Sequence, residues 1–506
     1  MPEVSGGAAQ GPSRLRLLDP ASAVRLPDQA VPNPTVYVEN RLLVSGFPGA
    51  ARQRHFDPLT AALGELRLKA RVTARSQRRI DRLQRTRGPA RDLLDEIWVT
   101  SVELEPDGTS PAAPPDAWDV LQRLRHEAPE VAATLSLEHV VRPAPYWGGI
   151  PYWGGIPYWG GIPYWGGIGS QALAEYAVPG RGGRMPVSLI LEDPARRART
   201  LTRQRVVAIL DSEVADHPWF EDKKRLVRAK VVDGVFKLGE LTPDERSEFA
   251  LPANLLTGER HQLEAHGTFI AGLVRQGCPE ATILSVPVMD SDGIADEDDV
   301  IATLGALLVR HAHGQETGNP AEVIDVLSLS IGYYAEDESY PASPMARLLG
   351  LFAEHGVLVV AGMGNDATST PFVPAALAAV TADPPLTSVG ALNPNRETVA
   401  LFSNTGPRVT TLRSGVCLVS TVPKVNAGGQ PTTSTTAGGT ARTTMDPDDY
   451  RSGFAVWSGT SFATPVFAAE LAARLCEAGD LPDISAPAMR RRGAAALSHC
   501  LKKEHR

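Results

Sequence analysis

The sequence predicts an α/β fold, a parallel sheet flanked by helices, with a smaller α+β domain ahead of it. Three observations carry this prediction. Short apolar runs recur at 206–210, 283–288, 323–329, 357–361 and 386–391, each the length of a strand buried on both faces. Stretches of helical periodicity at 266–275, 296–311 and 344–355 separate the first four runs, as a parallel sheet with crossover helices requires. Upstream, strand-like and helix-like patterns alternate through 35–142, enough chain for one small mixed domain.

Taken in order, residues 1–34 are rich in Gly, Ala, Ser and Pro and are expected to form a mobile tail. The run Thr-Val-Tyr-Val-Glu-Asn-Arg-Leu-Leu-Val at 35–44 reads as a strand. Asp57 and Pro58 then offer an N-cap and a first-turn proline, with Leu59, Leu63 and Leu66 at helical spacing. The helix they begin becomes strongly basic: Arg67, Lys69, Arg71, Arg75, Arg78, Arg79, Arg82, Arg85, Arg87 and Arg91 stand against Asp81. Such a run reads as a solvated face, with docking onto an acidic surface of the same protein as the alternative. A strand at 97–104, a helix at 117–126 and a strand at 131–141 complete this domain.

The composition changes abruptly at 143. Four copies of Pro-Tyr-Trp-Gly-Gly-Ile begin at Pro145, Pro151, Pro157 and Pro163, and they hold half of the eight tryptophans. Six residues are too few for a helical repeat, and the Pro and Gly-Gly pairs punctuate each unit into an extended piece and a turn. The segment 143–200 is read as a linker and lead-in, or as a strip of Tyr/Trp anchors for a groove of this protein or a partner. The main domain is placed at 201–480. Within it, the Gly/Thr-rich stretch 426–444 is expected to be a flexible surface loop, and 481–506 reads as a basic tail.

Charge and composition narrow the function classes. A formal net charge of −8 supplies no global positive field, which argues against a nucleic-acid partner. No apolar segment resembles a secretory signal or reaches the length of a membrane span, so the expected location is cytoplasmic, with no membrane partner. The widely spaced Cys278, Cys417, Cys476 and Cys500 form no CxxC pair and are expected to be buried free thiols.

Chemistry concentrates near the end of the chain, in Trp-Ser-Gly-Thr-Ser-Phe-Ala-Thr-Pro at 457–465. Ser461 follows a small-residue turn and opens a long apolar helical pattern, so it falls near free N–H groups and the positive end of a helix dipole. A hydroxyl is a poor nucleophile at neutral pH, so Ser461 requires a base, an orienting acid and an oxyanion donor. Asp211 closes the first apolar run, where a buried acid demands hydrogen bonds. His266 begins a helical run with Gly267 beside it, a placement that suits a neutral base. Asn365, after the fourth run, offers an uncharged donor, and Gly364 lets a substrate carbonyl approach. In isolation each has a bland alternative: a capping Asp, a structural His, a turn Asn.

Together these stretches resemble the subtilisin-like serine proteases, the subtilase family, over about 201–480. The resemblance rests on Ile-Leu-Asp-Ser at 209–212, His-Gly-Thr at 266–268 with Ala271 and Gly272, Gly364-Asn365, and Gly-Thr-Ser-Phe-Ala-Thr-Pro at 459–465. The order Asp, His, Ser is the subtilisin order. The resemblance implies a subtilisin-like parallel sheet and endopeptidase chemistry on a protein or peptide substrate. Ser461 attacks, His266 moves the proton, Asp211 holds the imidazole, and Asn365 with the Ser461 N–H binds the oxyanion. No cofactor enters that chemistry. It also implies that Ser330, Ile331 and Gly332 form the edge strand that pairs with the substrate backbone. Phe372 falls near the floor of the pocket for the residue before the cut, which predicts a narrow pocket for small side chains. Three positions depart from the family pattern: Glu213 stands where Gly is usual, Ala265 where Gly precedes the histidine, and Phe269 where a second histidine is common.

The segment 35–142 resembles, more distantly, a subtilase pro-domain. It is expected to act as an intramolecular inhibitor of a zymogen, with maturation cuts between about 141 and 200. The acidic loop at 290–299 reads as a helix start at Asp296, with calcium as the alternative. Two other functions compete: a scaffold that binds through the aromatic repeat and carries a silent protease domain, and a peptide ligase or macrocyclase using the same acyl-enzyme.

Overall fold

The computed structural model describes residues 14–502 except 28, 47–51, 84–87, 109–114, 144–183, 190, 223–224, 233–234, 239–262, 290–292, 380–384, 426–433, 447–448 and 480–481. The aromatic hexapeptides lie outside the described residues. The chain divides into two units, one of Met1–Val140 with Asp296–Asp298 and one of Val141–Ala295 with Asp299–Arg506.

The first unit is built from β1 (Leu15–Leu18), β2 (Thr35–Ser45), α1 (Arg52–Glu65), β3 (Leu68–Val72), α2 (Ala74–Leu83), α3 (Pro89–Ile97), β4 (Val99–Pro106), α4 (Ala117–Glu127), α5 (Pro129–Ala132) and β5 (Leu135–Pro143). Its strands are antiparallel, with β2 between β4 and β5 and β3 outside β4. Leu42, Val44, Val102, Leu104 and Leu137 meet Leu59, Leu63, Trp118 and Leu121 in one core. Each such side chain contributes about 1.5–3 kcal/mol by leaving water. Asp116 caps α4, accepting from the Trp118 and Asp119 amides at 2.8 and 3.1 Å, and also takes the Tyr37 hydroxyl at 2.9 Å.

Two expectations fail here. The helix expected to begin at Asp57 and Pro58 starts earlier, at Arg52, with Pro58 inside it, and it does not run into the basic stretch, because β3 intervenes. Leu68, Ala70 and Val72 alternate with Lys69 and Arg71, and β4 sets Arg71 against Glu103 and Glu105 at 2.7 and 2.6 Å. Further along, Arg79 is buried against Asp298 at 2.6 Å. Nor is all of 1–34 a tail. Leu15–Leu18 pairs with the start of β2, and Leu18 is buried.

The second unit contains β6 (Met185–Pro186), β7 (Val206–Asp211), β8 (Leu226–Val232), β9 (Val235–Leu238), α6 (His266–Gly277), β10 (Thr282–Pro287), α7 (Glu297–Thr317), β11 (Val326–Leu329), β12 (Ile331–Tyr334), α8 (Pro344–Glu354), β13 (Leu358–Gly362), β14 (Phe372–Val373), β15 (Thr387–Leu392), β16 (Thr411–Ser414), β17 (Leu418–Thr421), the hairpin β18 (Ser434–Ala437) and β19 (Thr440–Thr443), β20 (Phe454–Trp457), α9 (Thr460–Glu477) and α10 (Ala486–Lys502). Every residue of β7, β10, β11 and β13 is buried, as parallel strands covered on both faces must be. They form the middle of a sheet ordered β16-β15-β13-β11-β7-β10-β8-β9, parallel except for its last pair. The order reverses direction beside β7, the kind of switch point where ligand chemistry gathers at strand carboxyl ends.

Helices α6 and α9 pack together over the sheet, with Phe269, Ile270, Phe462, Phe467 and Leu471 in its principal core. The expected C-terminal tail is instead α10. Met489, Gly493 and Leu497 follow one another at four-residue spacing, with Ala496 and Cys500 beside them, so a buried stripe runs along a helix whose exposed face is basic. The stretch 426–444 is likewise more regular than expected, since its described part forms an exposed antiparallel hairpin. All four cysteines are free; Cys278, Cys476 and Cys500 are buried, but Cys417 is exposed. No helix among the described residues is long and apolar enough to cross a membrane.

Candidate active site

Asp211 ends β7 with no exposure to solvent. A buried carboxylate needs donors, and three reach it: His266 Nδ1 at 2.8 and 2.9 Å to its two oxygens, the Ser212 amide at 2.7 Å and the Ser212 hydroxyl at 3.3 Å. Ser212 Oγ also accepts from the Gly267 amide at 2.9 Å, tying the strand end to the first turn of α6. Facing both carboxylate oxygens, His266 Nδ1 is the donor of this pair. Among the described residues Nε2 has no hydrogen-bond partner, and the ring is fully buried between Trp457, perpendicular to it, and the tilted Phe462, at centroid distances of 5.6 and 5.2 Å.

The residue before the histidine explains one departure from the family pattern. Ala265 has φ +70, a left-handed conformation that costs a residue with a Cβ about 1–2 kcal/mol. Glycine would adopt it freely. Phe269, the other departure in this helix, packs on Phe462 at 4.5 Å and Trp457 at 5.7 Å and thickens the apolar wall behind the imidazole.

Ser461 is the second residue of α9 and is fully buried. It is clamped by Ser330, whose hydroxyl donates to the Ser461 carbonyl at 2.8 Å, while Ser461 Oγ donates to the Ser330 carbonyl at 3.2 Å. The hydroxyl is therefore engaged with the loop between β11 and β12, and the histidine-to-serine hydrogen bond is not made. Such bonds are often long or unmade in unliganded sites.

Asn365 is tied to the same helix end. Its Oδ1 accepts from the Thr460 amide at 2.9 Å, and Thr460 Oγ1 accepts from the Gly364 amide at 3.1 Å. Committing the amide oxygen to Thr460 fixes which face of the side chain carries the donors. Behind it stands Asn404, with no exposure and every polar valence used. Its Nδ2 donates to the Met363 carbonyl and the Tyr334 hydroxyl at 2.8 and 2.9 Å, and its Oδ1 accepts from the Asp366 and Thr368 amides at 3.0 and 3.2 Å. Tyr334 in turn donates to Asp366 at 2.5 Å, and burial pushes the Asp366 carboxyl up from its ordinary range.

Phe372 occupies the space beside β12. A Cβ built on Gly332 would meet its ring at 2.6 Å, and one on Gly364 would meet it at 3.2 Å, so the ring lies against both glycines. On its other side it packs against Tyr334 at 5.1 Å. Along the same strand, Ile331 pairs antiparallel with Pro143 and Gly332 with Arg142, residues that belong to the second unit. An apolar pocket nearby is lined by Val300, Leu304, Leu329, Ile331, Tyr333 and Met345, with Val141 on its wall.

The structure thus hydrogen-bonds Asp211 to His266, Ser330 to Ser461 and Asn365 to the residue before Ser461, and sets Phe372 against Gly332 and Gly364. Sequence reasoning gave no role to Ser212, Thr460, Trp457 or Asn404. The first three lay inside quoted motifs, whereas Asn404 sits in a Ser-Asn-Thr-Gly turn with no signal of its partners. No group of three His, Cys, Asp or Glu side chains among the described residues could hold a metal, and 290–292 of the acidic loop lie outside them.

A buried Asp-His pair stands at a switch point of the parallel sheet, and Ser461 stands at a helix N-terminus; a match to a family model assigns this arrangement to the serine-peptidase class of hydrolases. The subtilase family model matches residues 202–493, more than half of the chain, and the chain belongs to that family. Among solved structures it is similar to the prenylagaramide maturation protease PagA, at 21% identity, TM-score 0.34, and coverage of 55% of this chain and 79% of that one. It is also similar to a cold-adapted subtilisin-like serine proteinase, at 17% identity, TM-score 0.35, and coverage of 60% and 85%.

Proposed function

We propose that the protein is a serine endopeptidase using Asp211, His266 and Ser461 as its triad and Asn365 as an oxyanion donor. The observation that carries this is the bidentate hold of Asp211 on His266 Nδ1, which leaves Nε2 as a neutral base. In the reaction Ser461 Oγ turns from the Ser330 carbonyl to His266 Nε2 and gives up its proton as it attacks the scissile carbonyl. The developing oxyanion takes hydrogen bonds from Asn365 and the Ser461 amide, an interaction that typically lowers the barrier by about 2.7–4 kcal/mol per donor. The imidazolium, stabilised by Asp211, then protonates the leaving amine, and water releases the acyl group by the same steps in reverse. The mechanism draws on no cofactor.

An extended substrate adds to β12 as a strand, with its chain continuing to both sides of the cut, which is endopeptidase geometry. The pairing of Arg142 and Pro143 with this strand supports an intramolecular inhibitory role for the preceding segment, relieved by cleavage between about 141 and 200. Phe372 leaves room only for a small side chain before the cut.

The test is to label the purified protein with a fluorophosphonate and then expose a proteome to it. Labelling of wild type but not Ser461→Ala, with new internal termini following small residues, is expected. An unlabelled, processed wild type would sink the proposal.

A further inference from the structure

Arg184 lies 18 residues ahead of the family match, which begins at residue 202, yet it is buried in the second unit at 2% exposure. Its neighbours Met185 and Pro186 pair antiparallel with Val456 and Ala455 of β20, the strand that leads through Ser458 and Gly459 into Ser461. The guanidinium lies between two rings, 5.0 Å from the Tyr450 centroid and 5.1 Å from that of Trp457. Its Nε donates to the Tyr450 hydroxyl at 3.2 Å, and that hydroxyl donates back to the Arg184 carbonyl at 3.3 Å. A terminal nitrogen donates to the Glu264 carbonyl.

Both ends of this arrangement reach His266. Glu264 precedes Ala265, whose left-handed backbone sets the direction in which α6 departs, and a strained turn persists only where its surroundings hold it. Trp457, the ring beneath the guanidinium, stands perpendicular to the imidazole at 5.6 Å. A guanidinium suits both tasks at once, because its plane stacks on aromatic faces while its edge directs N–H groups at carbonyls.

We propose that Arg184 is a positioning residue for His266, and that the segment from Arg184 onward belongs to the working catalytic unit. It follows that maturation cuts fall before Arg184. The inference rests on the serine-peptidase reading of Asp211, His266 and Ser461.

Two measurements on Arg184→Ala and Arg184→Lys test it. The first is the fluorophosphonate labelling rate of Ser461 in the processed enzyme, with the N-terminus of that enzyme sequenced. Labelling of Arg184→Ala should slow on the order of 10²-fold, as small misplacements of catalytic groups do, and Arg184→Lys should lie between it and wild type. The second uses the full chain in a Ser461→Ala background, with ¹⁵N-labelled histidine. The downfield Nδ1–H resonance of His266 should weaken, and its titration midpoint should move, when Arg184 is replaced. This readout needs neither substrate nor activity, so failure of wild type to label would remove the proposed function while the resonance still decides this inference. An unaltered resonance and titration in folded Arg184→Ala would overturn it, as would a fully active enzyme beginning after Arg184. If Arg184→Ala does not fold, Arg184→Lys carries the comparison, and a wild-type labelling rate and resonance there overturn the proposal.

Discussion

Gly267 rides directly on Ser212: a Cβ at Gly267 would come within 2.2 Å of the Ser212 carbonyl oxygen and 3.2 Å of Asp211 Oδ1. The contact between the end of β7 and the start of α6 is therefore closed to any side chain. Gly267→Ala must drive the helix away from Asp211, lengthening the bonds that orient His266. The expected result is a fall in labelling rate on the order of 10²-fold. Overpacking should lower stability by about 1–3 kcal/mol in urea unfolding. A variant with wild-type rate and stability would show that the two backbones have more freedom than their contact allows.

The Asn404 side chain makes four hydrogen bonds to the segment that carries Asn365 and to Tyr334. Asn404→Ala leaves the Asp366 and Thr368 amides and the Met363 carbonyl without these partners, so Asn365, the proposed oxyanion donor, loses its support. A loss of kcat of about 10²-fold with KM little changed is expected, since the Asn365 contact strengthens only in the transition state. A rise in KM alone would assign Asn404 to substrate binding instead.

On the proposed function, Phe372 limits the pocket for the residue before the cut. Phe372→Ala should admit large apolar side chains before the cut and raise kcat/KM for a Leu or Phe peptide relative to an Ala peptide by about 10–200-fold. The emptied space should also lower stability by about 3–5 kcal/mol. Profiling both proteins with one peptide library checks the shift, and an unchanged preference would remove Phe372 from the pocket.

His217 and His311 are buried, and burial lowers each to about 4 from the ordinary 6.5. His311 is held in its neutral form, accepting from the Ile324 amide at 3.0 Å and facing the His355 carbonyl at 3.2 Å through its other nitrogen. With the folded values below the unfolded ones, the unfolded chain binds more protons across that interval. Their contribution is complete above pH 6.5 and is lost as the pH falls toward 4. Urea unfolding from pH 7.5 to 4.5 should therefore show a shallower pH slope in His217→Gln and His311→Gln than in wild type. Identical slopes would place the acid sensitivity elsewhere.

Arg203 and Asp325 form a buried bidentate pair at 3.0 and 2.8 Å, and Asp325 also accepts the Val206 amide at 2.9 Å where β7 begins. Asp325→Ala strands the guanidinium in the interior and should destabilise by about 3–5 kcal/mol. Replacing both partners with apolar residues should recover much of that loss in the same denaturation experiment.

The parallel sheet was legible because its strands are buried on both faces, so their apolar runs carry no competing pattern. Asp211, His266, Asn365 and Ser461 were legible for a related reason, since each stands where an apolar run or helical pattern begins or ends and a polar residue needs an explanation. What escaped was set by tertiary contact. β3 was hidden because its alternation is written in Lys and Arg, whose partners Glu103 and Glu105 are distant in sequence. α10 was hidden because small residues and arginines dilute its stripe. Asn404 and Arg184 satisfy donors and acceptors far along the chain, and no local pattern announces such partners.

The far end of the helix that begins at His266 meets the middle of the helix that begins at Thr460 closely. A Cβ on Gly277 would stand 2.6 Å from that of Ala469. One end of α6 thus fixes the histidine, and the other is a fulcrum with no room for a methyl group. A wedge inserted there acts through a rod about 18 Å long at 1.5 Å rise per residue, so that a small tilt at Gly277 becomes a displacement at His266. The placement of His266 is thus tied to a contact at the opposite end of its own helix.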